Sequence, residues 1–314
     1  MNRLTDLNSL PLGELFEELT RPGLVRRVLE IARDEDLGAP GAARDATTQA
    51  WASADRTVEG AVVARAPGVV AGLRVVPMLV DVFGFKCEVR PLVQDGQAVP
   101  PRTAIARVRG MAREVLAMER TLLNLVGRLS GVASLTARFV AAMEPRSAGS
   151  RARLFDTRKT TPGLRTLEKY SVRCGGGFCH RLGLYDAVLI KDNHLAGTPI
   201  GEMGAAVIEA SRRARAAGPV RFVEVEADRL EQLGVLLGLP RGTVDVILLD
   251  NMSSPDLRRA VQLRDDARSP VELEASGGVS VNTIRAIAET GVDRISAGAI
   301  THSAAALDVA LDVE

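Results

Sequence analysis

The stretch Arg151–His194, RARLFDTRKTTPGLRTLEKYSVRCGGGFCHRLGLYDAVLIKDNH, decides the fold. It carries nine Lys or Arg against four Asp or Glu, and two of the three histidines, in a 314-residue chain whose formal net charge is only +1. The basicity is therefore local. Two apolar runs, Arg153-Leu154-Phe155 and Ala187-Val188-Leu189-Ile190, pass directly into charge: Asp156-Thr157-Arg158-Lys159 after the first, Lys191-Asp192-Asn193-His194 after the second. A short apolar run that ends abruptly in charge is the pattern of a buried parallel strand delivering side chains to a pocket at its carboxyl end. Arg offers a planar fork for carboxylate or phosphate, Lys a point charge and His a titratable one, so the expected ligand is a compact polyanion. A solvated basic face or an RNA-binding surface is the competing reading. Aromatics make up only 3% of the chain, which leaves few stacking platforms for a nucleic acid.

Towards the C-terminus strand and helix alternate. A helix over about 200–217 leads to RFVEVEA; a helix capped by Asp228, with Glu231 three residues later, leads to DVILLDN. A helix with Ser254 before Pro255 leads to VELEASGG, and SVNTIRAIAET leads to DRISAGA. With the two runs quoted first, this makes six parallel-strand candidates, the repeat of a barrel or of a doubly wound sheet. Their ends decide between the two. Arg158 and Lys159, Lys191, Glu226, Asp250, Ser276-Gly277-Gly278 and Gly298 terminate successive runs, whereas a doubly wound sheet loads only its switch point. The expected fold class is α/β, an incomplete TIM-like β/α barrel. Ser276-Gly277-Gly278 before a helix, with Gly298 after the last strand, fits the phosphate site of the final βα loops in such barrels. Glu224, two residues before Glu226, points the same way along its strand.

Upstream, residues to about Asp55 read as helical, with Leu24, Val25, Val28, Leu29 and Ile31 on one apolar face, followed by the polar loop EDLGAPGAARDATT. Between Val58 and Gly110, β-prone runs alternate with Gly and Pro, and Asp95-Gly96 between KCEVRPLV and TAIARVRG signals a hairpin. This reads as a smaller α+β domain of hammerhead or half-barrel type. A lipoyl-like carrier would need a lysine at that turn, and none is there. From Ala112 to about Met143 the chain is helical, with Val115, Met118, Leu122, Leu125 and Leu129 as the core stripe and Arg120 and Asn124 off it. The expected division is 1–119 for the N-terminal domain with its helical arm and 120–314 for the barrel.

Cys87, Cys174 and Cys179 are an odd number with no disulfide-framework spacing, so reduced thiols and a cytoplasmic location are expected. Cys174, Cys179 and His180 fall short of the four ligands of a closed zinc site. No run of about 20 apolar residues suggests a membrane span, and the first residues lack a secretory apolar core.

The motifs DTRKTTPGLR, LEKY-x-VRCGGG-x-x-HR and GLYDAVLIKDNH, in this order, resemble those of the quinolinate phosphoribosyltransferase family. ERTLLNLVGRLSGVAS, VEVE, LLDN, EASGG and SAGAITHSAAALDVALDV extend the resemblance over nearly the whole chain. It implies that Arg158, Lys159, Thr160, His180, Arg181 and Lys191 hold quinolinate, joined by Arg120 donated across the interface of a homodimer or higher oligomer. It implies that Glu226, Asp250, Ser276, Gly277, Gly278, Gly298 and His302 hold phosphoribosyl pyrophosphate, with Mg²⁺ at Glu226 and Asp250, directly or through water. Lys159, Lys191, Glu226 and Asp250 are the catalytic candidates, and neither nucleic acid nor membrane is a partner. Three departures stand out: Cys179 replaces a usual Asn before the His-Arg pair, Ala305 replaces a usual Pro, and the EDLG…D-x-TT loop is longer here. The Cys179 change implies weaker support for His180. Two other readings remain at this point: a paralogous phosphoribosyltransferase for another aromatic acid, and a non-catalytic barrel that binds a phosphorylated metabolite.

Overall fold

The apolar runs that end in charge form adjacent parallel strands in the computed structural model, which describes residues 4–38, 44–53, 55–144 and 152–313. In chain order the strands are β1 (Thr57–Ala64), β2 (Gly68–Val69), β3 (Glu88–Pro91), β4 (Ala98–Val99), β5 (Thr103–Met111), β6 (Arg153–Phe155), β7 (Val188–Ile190), β8 (Val223–Ala227), β9 (Val246–Asp250), β10 (Glu272–Ser276), β11 (Arg294–Ser296) and β12 (Val309–Val313). Two compact units share them. One takes the N-terminal segment to Ser9, Arg138–Lys159 and Gly177–Ala299; the other takes Leu10–Ala137, Thr160–Gly176 and the chain from Ile300. These lines differ from the expected break after residue 119, which falls inside a continuous helix, Ala112–Ala142.

The first unit is the incomplete barrel. Its sheet runs β6-β11-β10-β9-β8-β7, all parallel, so that the first strand lies beside the last and the seam falls between β6 and β7. Strand order never reverses, which separates this sheet from a doubly wound one. Phe178 partly fills the seam: its N–H donates to the Leu154 carbonyl at 2.8 Å, and its own carbonyl accepts the Asp156 N–H at 3.1 Å. Every residue of β8 is buried, as expected for a strand covered on both faces. The intervening helices are Ile200–Ala217, Leu230–Leu237, Ser254–Asp266 and the short Ile284–Ala288. Two of their starts differ from the sequence reading. Ser253, not Ser254, caps its helix by accepting the Asp256 N–H; Arg229, not Asp228, is the cap residue of the other, and Gln232 Oε1 accepts both N–H groups of that pair.

The second unit is antiparallel, with sheet order β12-β1-β5-β3 and a separate β2-β4 ribbon. The C-terminal strand β12 completes this sheet by pairing with β1, a partnership across most of the chain that no local pattern announces. β3 and β5 pair directly, and the turn at Asp95-Gly96 lies within their longer connection rather than forming a two-residue hairpin. Asp95 instead accepts the N–H groups of Leu73 and Arg74 and the Tyr170 hydroxyl. A helix at Val76–Phe83 interrupts the β-rich region. Val115, Met118, Leu122, Leu125 and Leu129 are all buried, each contributing roughly 1.5–3 kcal/mol to the core. Their helix is long and apolar enough to cross a membrane by length and mean hydropathy, against the expectation that no run approaches this, but half of its apolar window is packed inside the protein. Val25 and Leu29 face the core as expected, whereas Leu24 and Ile31 are exposed.

Arg128, from the same long helix, donates to the buried Glu168 at 2.7 Å and to the carbonyls of Thr301 and Ala304 at 2.6 Å. A Cβ on Gly131 would lie 2.0 Å from the Ala305 carbonyl oxygen, so glycine is what admits the C-terminal segment there. That contact uses a backbone carbonyl, which proline also possesses, and Ala305 in place of Pro leaves it intact. The middle of the EDLG…D-x-TT loop, 39–43, lies outside the described residues.

Candidate active site

At the C-terminal ends of the barrel strands the charged residues gather in two sets. After β6, Arg158 is half-buried and Lys159 exposed, with the Thr157 hydroxyl accepting the Lys159 N–H at 3.0 Å. Arg181 is only 8% exposed; burial and the Arg158 guanidinium hold its pKa below the ordinary arginine value. Two guanidiniums that repel one another in a half-enclosed place gain most from an anion that bonds both.

His180 is the hinge between this cationic set and the barrel interior. Its Nδ1 accepts the Arg181 N–H at 2.8 Å, and its Nε2 lies 3.0 Å from Glu224 and 3.4 Å from Glu274. Arg294 Nε stands 2.7 Å from Glu274, with its guanidinium 4.0 Å from the Phe155 ring centre. Burial opposes charge on the imidazole, but the two carboxylates outweigh it and raise the His180 pKa to about 9. Burial would raise Glu274 as well, yet His180 and Arg294 pull it down to about 2; Glu224 is pushed up by burial and by Glu274. Glu224 thus serves as a buried partner of His180. These supports come from residues other than 179, so the link from Cys179 to weaker His180 support is not the main determinant of its placement.

The second set is acidic. Glu226, at the end of β8, is 7% exposed and sits 3.5 Å from Lys191 Nζ; burial raises its pKa and Lys191 opposes. Asp250, at the end of β9, is raised by burial and by Asp228, against the pull of Lys191 and Lys159. Glu226, Asp228 and Asp250 each bring an oxygen within 4.8 Å of the others. Three carboxylates this close together suit a hard cation with oxygen ligands, and Mg²⁺ fits that donor set. Asp228 was read from sequence as a helix cap; it lies just past the end of β8, two residues beyond Glu226, and this spacing was the available signal. The lysines assigned to the quinolinate side therefore also touch the acidic side: Lys191 pairs with Glu226, and Lys159 acts on Asp250. Lys191 begins the short helix Asp192–Leu195, where His194 Nδ1 accepts its N–H at 2.9 Å.

The Ser276-Gly277-Gly278 loop follows β10, with φ +95° at Gly277 and +60° at Gly278. A Cβ on Gly277 would lie 2.1 Å from Asn251 Oδ1. Asn251 in turn donates from Nδ2 to Asp250 at 2.6 Å and from its N–H to the Ser276 carbonyl at 2.9 Å. The expected helix directly behind the loop is displaced: it begins at Ile284 and has five residues, so the loop's own amides are the donors available to an anion. Gly298 follows β11 and is half-buried. The remaining three predicted residues belong to the other unit. Arg120 and Asn124 are exposed on the long helix, Thr160 Oγ1 accepts from Arg165 Nε at 3.0 Å, and His302 is exposed with Ser303 Oγ 2.8 Å from its Nδ1.

A parallel β/α barrel whose rim carries a buried and a half-buried guanidinium, a carboxylate triad and a glycine loop defines an enzyme that brings two anionic substrates together, of the phosphoribosyltransferase class. The chain belongs to the quinolinate phosphoribosyltransferase family. The profile of its C-terminal domain matches residues 132–312 and that of its N-terminal domain residues 45–130. The nicotinate-nucleotide pyrophosphorylase [carboxylating] of Mycobacterium leprae is 44% identical over 271 residues, 86% of this chain and 91% of that one. Among solved structures, nicotinate-nucleotide pyrophosphorylase from Francisella tularensis superimposes with a TM-score of 0.79 at 33% identity, covering 100% of both chains. The Ehrlichia chaffeensis enzyme gives 0.78 at 35%, covering 92% of this chain and 98% of that one.

Proposed function

We infer that the chain transfers the phosphoribosyl group of phosphoribosyl pyrophosphate to quinolinate, releasing pyrophosphate and carbon dioxide and forming nicotinate mononucleotide for NAD biosynthesis. The observation that carries the reading is the pair Arg158 and Arg181 at the same strand rim as Glu226, Asp228 and Asp250. Quinolinate bears two adjacent carboxylates, and two guanidiniums with the neighbouring lysines match them. Nicotinate, with one, would leave part of that charge unpaired and is disfavoured.

The pyridine nitrogen attacks C1 of the ribose as pyrophosphate departs, and positive charge develops on the sugar. Glu226 and Asp250 stabilise that charge, while Arg158 and Arg181 fix the ring for in-line attack. Lys159 and Lys191 stand at the boundary between the two substrates, since each acts on a carboxylate of the ribose side. The amides of Ser276, Gly277 and Gly278, with Gly298, take the donor's 5′-phosphate. Glu226, Asp228 and Asp250 would hold Mg²⁺, which when bound neutralises the departing pyrophosphate. Alkylation makes the ring nitrogen cationic, an electron sink that accepts the electron pair as the 2-carboxylate leaves as carbon dioxide; the carbon left behind then takes a proton. Arg120, exposed and off the core stripe, is donated to a neighbouring subunit in a homodimer or higher oligomer. Three buried cysteines outside any disulfide agree with a reducing, cytoplasmic setting.

The test is incubation of the purified protein with Mg²⁺, phosphoribosyl pyrophosphate and either quinolinate or nicotinate, following mononucleotide and carbon dioxide. Quinolinate alone should react, giving equal amounts of both. Nicotinate turnover without carbon dioxide would point to a paralogue, and no turnover to a binding protein. Mixing Arg120→Ala with Lys191→Ala subunits should restore activity if the site is shared; no recovery would argue against donation of Arg120.

A further inference from the structure

Residues 179–183 form neither helix nor strand, yet each of their five consecutive N–H groups donates to a side chain. Cys179 donates to Asn8 Oδ1 at 2.8 Å, His180 to Asp156 Oδ1 at 2.9 Å and Arg181 to His180 Nδ1 at 2.8 Å. Leu182 and Gly183 donate to the two oxygens of Asp186, each at 2.9 Å. Asn8 closes its side of the pairing by donating from Nδ2 to the Cys179 carbonyl at 2.9 Å, so one primary amide satisfies both backbone groups of a residue 171 positions away. Asp186 is buried and is held in turn by Arg221 Nε at 3.0 Å, while Arg221 also bonds the Thr5 carbonyl. Leu7, between these two anchor points, is 3% exposed.

Irregular backbone has no partners of its own and would otherwise rely on water or move. Here it carries Arg181, a guanidinium kept buried against the repulsion of Arg158. A charge in that setting relaxes outward unless its backbone is fixed at several points, because swinging towards water relieves both burial and repulsion. We propose that Asn8, with Asp186, is a positioning residue of the quinolinate site: the N-terminal segment Leu4–Ser9 braces the 179–183 backbone and so sets the direction of Arg181. Neither residue bonds substrate. Asn8 supplies to the backbone at 179 an amide brought from the far end of the chain, in a sequence where residue 179 itself is Cys.

The proposal rests on the reaction assigned above, and the two can be told apart. Asn8→Ala and Asn8→Asp are compared with wild type in the full-length protein. Asn8→Ala removes both bonds, and Asn8→Asp keeps an acceptor for the Cys179 N–H but sets a carboxylate against the Cys179 carbonyl. The expected result for Asn8→Ala is a KM for quinolinate raised about tenfold, the scale of one or two net hydrogen bonds, with the KM for phosphoribosyl pyrophosphate within about twofold. Asn8→Asp should also fail to restore the quinolinate KM. Hydrogen exchange in the peptide spanning 177–186 should accelerate in Asn8→Ala without any substrate present. A wild type that does not turn over quinolinate refutes the reaction. A working wild type beside an Asn8→Ala variant with unchanged quinolinate KM, or with both KM values raised equally, overturns the brace, as does unchanged exchange at 177–186.

Discussion

Replacing Gly277 by alanine tests how the glycine loop governs the ribose carboxylates, and Gly278→Ala beside it supplies the control. Both glycines have positive φ, +95° and +60°, so each substitution carries the strain of a left-handed residue, about 1–2 kcal/mol. Their surroundings differ. Among the described residues, apart from its two chain neighbours, none comes within 4 Å of a Cβ at Gly278, whereas a Cβ at Gly277 would meet Asn251 Oδ1 at 2.1 Å, its Cγ at 2.5 Å and its backbone nitrogen at 3.0 Å. The side chain of Asn251 can swing away, but then it abandons Asp250, to which it now donates at 2.6 Å. A hydrogen bond to a charged group is worth about 1.5–3 kcal/mol, and the low end applies because this pair is exposed. Gly277→Ala should therefore cost about 3 kcal/mol and Gly278→Ala about 1.5 kcal/mol. The difference falls on the orientation of Asp250. The KM for phosphoribosyl pyrophosphate should rise about tenfold or more in Gly277→Ala and only about twofold in Gly278→Ala, with quinolinate KM little changed. Steady-state kinetics with each substrate varied, together with urea unfolding, measures both effects. Equal kinetic effects of the two alanines would refute the reasoning, because then strain alone, and not displacement of Asn251, would set the outcome.

Asp228→Asn removes a charge that raises the Asp250 pKa, so the acid limb of the pH–rate profile should move to lower pH at saturating Mg²⁺. In the same variant the Mg²⁺ needed for half-maximal rate should rise about tenfold, which a metal titration reads. In the barrel interior, Glu274→Gln should destabilise by about 3 kcal/mol, because it takes from the buried Arg294 the nearer of its two carboxylates and leaves Glu272 at 3.6 Å. Glu224→Gln should cost less, because burial and Glu274 already disfavour the ionised form of Glu224 and glutamine is nearly its isostere; denaturant midpoints of the two variants decide this. Stability of the wild type should also depend on pH in a defined window. The pKa of His180 is raised to about 9 in the folded protein, so its contribution is fully present below the unfolded value of about 6.5 and is lost as pH rises through 9. Thermal melts between pH 6 and pH 10 should show that fall, with a shallower slope in Glu224→Gln.

Much of the barrel was written locally in the sequence. Strand period, abrupt charge at strand ends and the helices between them specify which residues are buried and which reach the rim, because side-chain direction alternates along a strand regardless of what lies beside it. Arg158, Lys191, Glu226 and Asp250 were legible for that reason, and so were the five apolar positions of the long helix. The Gly277 position was visible as glycine, but the atom that demands it, Asn251 Oδ1, belongs to another strand's loop. Helix caps were misplaced by a residue because neighbouring polar side chains compete for the same amides, and Asp228 was given to the cap instead of the carboxylate cluster.

Tertiary structure alone decided the rest. That β6 lies beside β11, that β12 joins β1, and that Asn8 meets Cys179 are pairings of segments distant in the chain, each selected by sheet register and burial and not by any nearby pattern. The same holds for charge. Glu224 and Glu274 look alike in sequence, yet the pKa of the first is pushed up and that of the second pulled down, because pKa depends on which buried groups face one another across the barrel.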